Sequence, residues 1–132
     1  MKLTDLQELL KKSYCPYSKF AVAAIAIDEL GNEYPGVNVE NAAYPSGLCA
    51  ERSALFGSVA RGAKVGNFKE IHIISYLNDD VISPCAGCRQ VISEFMSDDS
   101  LVYQYSYDGK KVRINKVSEI VPFAVRSGDL FK

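Results

Sequence analysis

The sequence predicts an α/β domain in which helices are layered on a central sheet. Three observations predict it: a length that suits one domain, apolar patterning that alternates between helical and strand periods, and the order of the segments so defined. The 132 residues suit a single compact domain spanning 1–132. With 48% of residues apolar, a disordered chain is excluded. The segments read α-β-β-α-β-α-β-β, an order that stacks helices on strands. No internal repeat, low-complexity tract or linker interrupts them.

Residues 4–14 have helical spacing. Thr4 and Gln7 form a capping box, and Leu6, Leu9, Leu10 and Tyr14 make one apolar stripe. Pro16 ends that helix. "FAVAAIAID" (20–28) and "EYPGVNV" (33–39) read as two strands joined by the "ELGN" turn, hence a hairpin. Helical spacing returns over 49–61, with Gly62 as the cap at its end. "KEIHIISY" (69–76) is a β-branched strand, and "LNDDVISP" is a loop. "CAGCRQVISEFM" (85–96) is a helix preceded by Pro84. "LVYQYSY" (101–107) and "KVRIN" are strands joined by a tight "DGK" turn, followed by a short "SEIVP" turn and an irregular tail. His72, between isoleucines, reads as a core or sheet-face residue.

Charge and composition narrow the function. Fifteen basic and 16 acidic side chains leave a formal net charge of -1, without the basic surplus that duplex nucleic acid selects. No apolar run approaches the roughly 18 residues of a membrane span. The opening "MKLTDLQELLKK" is too charged for a secretory signal. A cytoplasmic location is expected, where thiols stay reduced. The four cysteines are then expected to be ligands or catalysts rather than disulfides.

Three of those cysteines are arranged for a metal. Cys85 and Cys88, in "PCAGC", open one helix and Cys49 opens another. Helix N-termini favour thiolate, the metal-binding form. Three protein ligands and an open fourth position describe a catalytic zinc; a structural zinc takes four. Cys15 lies apart, in the turn after the first helix, and reads as a small half-buried hydrophobe. By itself C-x-x-C is equally compatible with a redox pair, a metal site or accident. Glu51, two residues after Cys49, tips that balance: a carboxylate there can reach the open metal position without binding it. Cysteine or histidine, then x-Glu, then Pro-Cys-x-x-Cys is the signature of zinc-dependent deaminases.

"PYSKF" (16–20), "GVNVENAAY" (36–44), "CAER" (49–52) and "PCAGCRQV" (84–91) together resemble the small cytidine deaminases that use three cysteines on zinc, nearly end to end. The resemblance implies a layered α/β/α domain around a mixed, roughly five-stranded sheet, assembled as a homotetramer with sites shared between subunits. It implies zinc on Cys49, Cys85 and Cys88 with a water in the fourth position. Water attacks C4 of cytidine, and by extension of deoxycytidine, while Glu51 carries the proton to N3 and assists release of ammonia. The product is a uridine, the reaction a step of pyrimidine salvage.

The remaining roles follow by the same resemblance. Arg52 donates to the sulfurs and withdraws charge from them, restoring Lewis acidity to a three-thiolate site. Asn38 and Glu40, alternating at a strand end, meet the ribose hydroxyls, and Phe20 packs on the nucleoside. Ala50 offers its N–H to the base carbonyl, Ser83 its carbonyl to the exocyclic amine, and Tyr44 packs near a subunit contact. One position departs from the family. Its members carry phenylalanine three residues after the C-terminal proline, where this chain has Val125; either Phe123 substitutes and reaches a neighbour's site, or the site is less covered and Phe123 packs between subunits. A zinc-stabilised binding module, a polynucleotide deaminase and a deaminase of a nucleoside-like antibiotic are the competing classes. Balanced charge and small size disfavour the polynucleotide reading, and "NVEN" favours a plain nucleoside over the antibiotic.

Overall fold

The computed structural model describes residues 1–130. It contains helices α1 (Leu3–Leu10), α2 (Ala50–Val59), α3 (Ala86–Phe95), α4 (Val117–Ile120) and α5 (Ser127–Leu130). The strands are β1 (Val22–Asp28), β2 (Glu33–Val37), β3 (Phe68–Ser75), β4 (Met96–Tyr105) and β5 (Val112–Lys116). They form one mixed sheet in the order β2-β1-β3-β4-β5. Only β3 and β4 run parallel, because α3 carries the chain back across the sheet between them. The other three pairings are antiparallel.

Alternation along β1 divides the core in two. Ala24 and Ala26 face α2 and α3, in a cluster with Leu55, Ile71, Ile73, Ile92, Phe95 and Val102. Ala23 and Ile25 face the opposite way, where Leu6 and Leu10 of α1 cover them together with Ile74. The small residues of β1 let helices approach both faces of the sheet, which makes the α/β/α layering possible. Gly36 is the tightest point. A Cβ there would lie 2.3 Å from Ala54 N and 2.5 Å from Ala50 O, so α2 rests on the bare backbone of β2.

Several boundaries differ from expectation. α1 starts and ends early, and its cap is formed by Asp5, whose carboxylate accepts from the Lys2 N–H at 2.8 Å. Gln7 instead donates its amide to the Tyr107 carbonyl at 2.6 Å, and Tyr14 is exposed. β4 begins at Met96, because the polar run Ser97–Asp99 forms an exposed end of the strand beside a break in register with β3. Residues 117–120 and 127–130 make short helical turns where a turn and an irregular tail were expected. Gly62 does cap α2: its φ of 93° turns the chain, and Ala63 N–H bonds back to the Ser58 carbonyl at 3.1 Å. Pro122 and Phe123 lie in a turn rather than in an extended segment.

Candidate active site

Three sulfurs converge where α2 and α3 begin. Cys49 and Cys85 are the residues immediately before these helices, both extended, and Cys88 follows in the first turn of α3. The three Sγ atoms lie within 4.8 Å of one another, and Cys49 and Cys85 are 3.9 Å apart. Zinc–sulfur bonds of about 2.3 Å in tetrahedral array separate sulfurs by roughly 3.8 Å, so this donor set fits zinc. Cys15 is not part of the cluster.

Electrostatics grade the sulfurs. The Cys49 thiol is pulled down to about 5 by a hydrogen bond from Cys88 and by Arg52, whose Nη2 donates to Cys49 Sγ at 3.3 Å. Cys88, fully buried and hydrogen-bonded to the Cys49 thiolate, is pushed up in turn. Arg52 thus stands where the sequence placed it, against a sulfur. Its Nε is buried with no hydrogen-bond partner among the described residues.

Glu51 is only 4% exposed, and burial pushes its carboxyl up to about 7, with the Cys49 charge adding to the rise. It lines a cleft of about 270 Å³ together with Cys49, Ala50, Cys85, Ser83, Ile82 and Phe20. Ala50 opens α2, so its N–H has no acceptor within the helix. Asn38 lines this cleft and also an adjoining one of about 410 Å³ bordered by Glu40, Tyr17 and Tyr44. Tyr17 and Tyr44 meet edge-on there, with centroids 6.1 Å apart.

Asn38 and Glu40 have more work inside the chain than their pattern announced. Val39 exchanges two hydrogen bonds with Leu48 and bridges to Tyr14, which carries the β2 strand on past its end. Asn38 and Glu40 therefore point together at the 13–22 segment. The Glu40 carboxylate accepts from the Tyr17 N–H at 3.1 Å, the Ser18 N–H at 3.0 Å and the Ser18 hydroxyl. Asn38 accepts from Val22 N–H at 2.9 Å and donates to the Phe20 carbonyl at 2.8 Å. Both residues hold the loop that presents Phe20. Just before it, Lys19 occupies the left-handed region at φ 59°. A sugar-only reading of Asn38 and Glu40 missed these bonds; the signal was the run of backbone N–H groups in "PYSKF", which must find acceptors.

Phe123 does not line either cleft of its own chain. It is 97% exposed, on a tail pinned by Gln90 to the Val125 carbonyl at 2.8 Å and by Arg126 to the Ser93 carbonyl at 2.6 Å. Arg113, which donates to the Ser83 hydroxyl, was missed entirely, because the sequence does not reveal which residue an edge strand brings over a loop.

Residues 2–104 match the family described as the cytidine and deoxycytidylate deaminase zinc-binding region. A cytidine deaminase of Sporosarcina psychrophila is 35% identical over 128 residues, covering 97% of this chain and 91% of that protein. Among solved structures, the cytidine deaminase of Burkholderia pseudomallei superposes with a TM-score of 0.83 at 36% identity, covering 95% of this chain and all of that one. That of Mycobacterium tuberculosis gives 0.77 at 27% identity, covering 92% of each chain. Among the described residues no helix is long and apolar enough to cross a membrane.

Proposed function

The chain belongs to the cytidine and deoxycytidylate deaminase family, and from that premise we propose that it hydrolyses cytidine to uridine and ammonia with Glu51 as proton carrier. The observation that carries the reading is a buried carboxyl of near-neutral pKa beside three convergent sulfurs, opening on a cleft. Cys49, Cys85 and Cys88 would hold zinc, which when bound supplies the Lewis acidity that makes hydroxide available near neutral pH.

Glu51 does the rest of the proton work. As water adds to C4, its carboxylate takes the water proton and passes it to N3. It then takes the proton of the new hydroxyl and gives it to the departing amine, leaving a carbonyl at C4 and releasing ammonia. The carboxylate is regenerated. Burial that raises this carboxyl above the usual carboxylate range suits a group that must both accept and donate. Arg52 draws charge from the Cys49 sulfur. The Ala50 N–H meets the base carbonyl, and the Ser83 carbonyl meets the amine. Phe20 packs on the nucleoside, held by Asn38 and Glu40, whose remaining donor and acceptor capacity meets the ribose. Phe123 covers the base in a neighbouring copy of a homotetramer.

The test is Glu51→Gln, assayed for cytidine absorbance loss and for zinc on the same sample. Turnover is expected to fall by at least 10²- to 10⁴-fold with zinc retained. Substantial activity in the variant would end this assignment.

A further inference from the structure

Residues 76–85 join β3 to α3 without regular structure, yet they deliver Ser83 to the cleft and Cys85 to the sulfur cluster. A segment of this kind needs partners for its backbone, and the β4–β5 hairpin supplies them. Tyr107 N–H donates to the Leu77 carbonyl at 2.7 Å, Asp108 N–H to Asn78 Oδ1 at 3.1 Å, and Lys111 Nζ to the Asp79 carbonyl. The last of these ties is Arg113, whose Nη2 donates to the Ser83 hydroxyl.

Arg113 is itself gripped before it reaches Ser83. Gln104, 1% exposed, accepts from Arg113 Nε at 3.1 Å and from Nη2 at 2.6 Å through one amide oxygen. Gln104 Nε2 is directed in turn by Asn115 Oδ1 at 3.1 Å. A planar guanidinium held at two nitrogens points in a fixed direction. Arg113 makes no ion pair among the described residues, and β5 places no fully buried side chain in the core. Neither surface charge pairing nor packing accounts for it.

We propose that Arg113 is a positioning residue for the deamination, acting through Ser83 to hold the Ser83–Cys85 segment in register with substrate and sulfur cluster. The inference rests on the deaminase reading. Ser83 is two residues from Cys85, and between them the Pro84 carbonyl accepts from Arg89 Nε at 2.9 Å. Arg113 and Arg89 thus brace the segment from two sides. Releasing Arg113 frees the carbonyl that meets the amine, so the loss falls on kcat more than on KM.

The experiment compares zinc-loaded wild type with Arg113→Ala, Arg113→Lys, Ser83→Ala and the Arg113→Ala/Ser83→Ala double variant. Each is assayed for kcat and KM on cytidine and for amide hydrogen exchange by mass spectrometry. Arg113→Ala is expected to lower kcat/KM by roughly 10- to 100-fold, what one charge-assisted hydrogen bond is worth. Exchange should accelerate over residues 78–85 and not across the sheet. Arg113→Lys should recover only part, since an ammonium cannot grip Gln104 at two points. The double variant should be no worse than the poorer single, because the Arg113–Ser83 contact is already lost in either one. Wild-type kcat/KM in a folded Arg113→Ala, additive losses, or exchange that rises evenly over the chain would each overturn the proposal. Should Arg113→Ala fail to fold, Ser83→Ala decides by the same readouts. A zinc-loaded wild type inert to cytidine would overturn the deaminase reading itself, an outcome distinct from an active wild type indifferent to Arg113.

Discussion

His72 shows how much a single side chain can encode. It is 6% exposed and stacked on Tyr103, with ring centroids 4.4 Å apart. Its Nδ1 lies 2.7 Å from the Tyr105 hydroxyl and its Nε2 2.9 Å from Glu70 Oε1. A neutral ring satisfies both, accepting from Tyr105 and donating to Glu70. Burial holds its pKa below the ordinary 6.5, more strongly than Glu70 raises it; the Met1 ammonium lowers it further and Glu33 opposes. The unfolded chain therefore binds this proton more readily than the folded one. Stability contributed here is complete above about pH 6.5 and declines as pH falls, until the folded pKa is passed. The urea midpoint should drop from pH 8 to pH 5 by more in wild type than in His72→Gln; equal drops would refute this. Asp28, Glu40 and Asp108, held below the usual carboxylate range, respond only at lower pH. The sequence showed His72 as a sheet-face residue but not its partners, although Glu70 and His72, and Tyr103 and Tyr105, are spaced by two and so share a face. The placement of Cys49, Glu51, Arg52, Cys85 and Cys88 was legible because each is set by its position at a helix start. The contacts of Arg113 were not, since they exist only once β5 has paired in register with β4.

Among the elements, α2 is the one whose placement matters most, because it carries Ala50, Glu51 and Arg52 on its first turn. Its seat is Gly36. Gly36→Ala should destabilise by about 1–3 kcal/mol or more, since the methyl meets helix backbone that cannot step aside. The melting temperature and zinc retention should fall together, as the turn between Ala50 and Ala54 is displaced. Gly57→Ala, on the same helix with nothing within 4 Å of its added methyl, is the contrast and should stabilise by up to about 1 kcal/mol. A thermal melt of the two variants beside wild type checks both. Helix and strand identities were readable from apolar periodicity for every long segment. Their ends were less so: Lys2 and Asp5 cap α1 in place of Thr4 and Gln7, and β4 runs into a polar stretch that no apolar pattern marks. A carboxylate cap from Asp5 sets the start of α1, and backbone pairing of Met96 with Phe68 sets that of β4.

For the whole molecule, the feature that bears on the proposed assembly is Phe123, exposed in the single chain. The tail is fastened to α3 on the far side of Phe123, so the ring is presented outward on anchored backbone. On the proposal that Phe123 covers the base in a neighbouring copy, Phe123→Ala should raise KM for cytidine by roughly 5- to 150-fold, with zinc unchanged. Kinetics and sizing at one protein concentration test this, and an unchanged KM in an intact assembly would refute it. The sheet also has two unlike ends. Val22, Asn38 and Ser75 mark the end that carries the cleft, while Asp28 and Phe68 pair at the other. There the chain turns through Leu30, 81% exposed, and Gly31, with open space around it. A foreign peptide spliced into that turn would be displayed at the pole opposite the chemistry, so the enzyme can be labelled, tethered or fused there while its catalytic face stays clear.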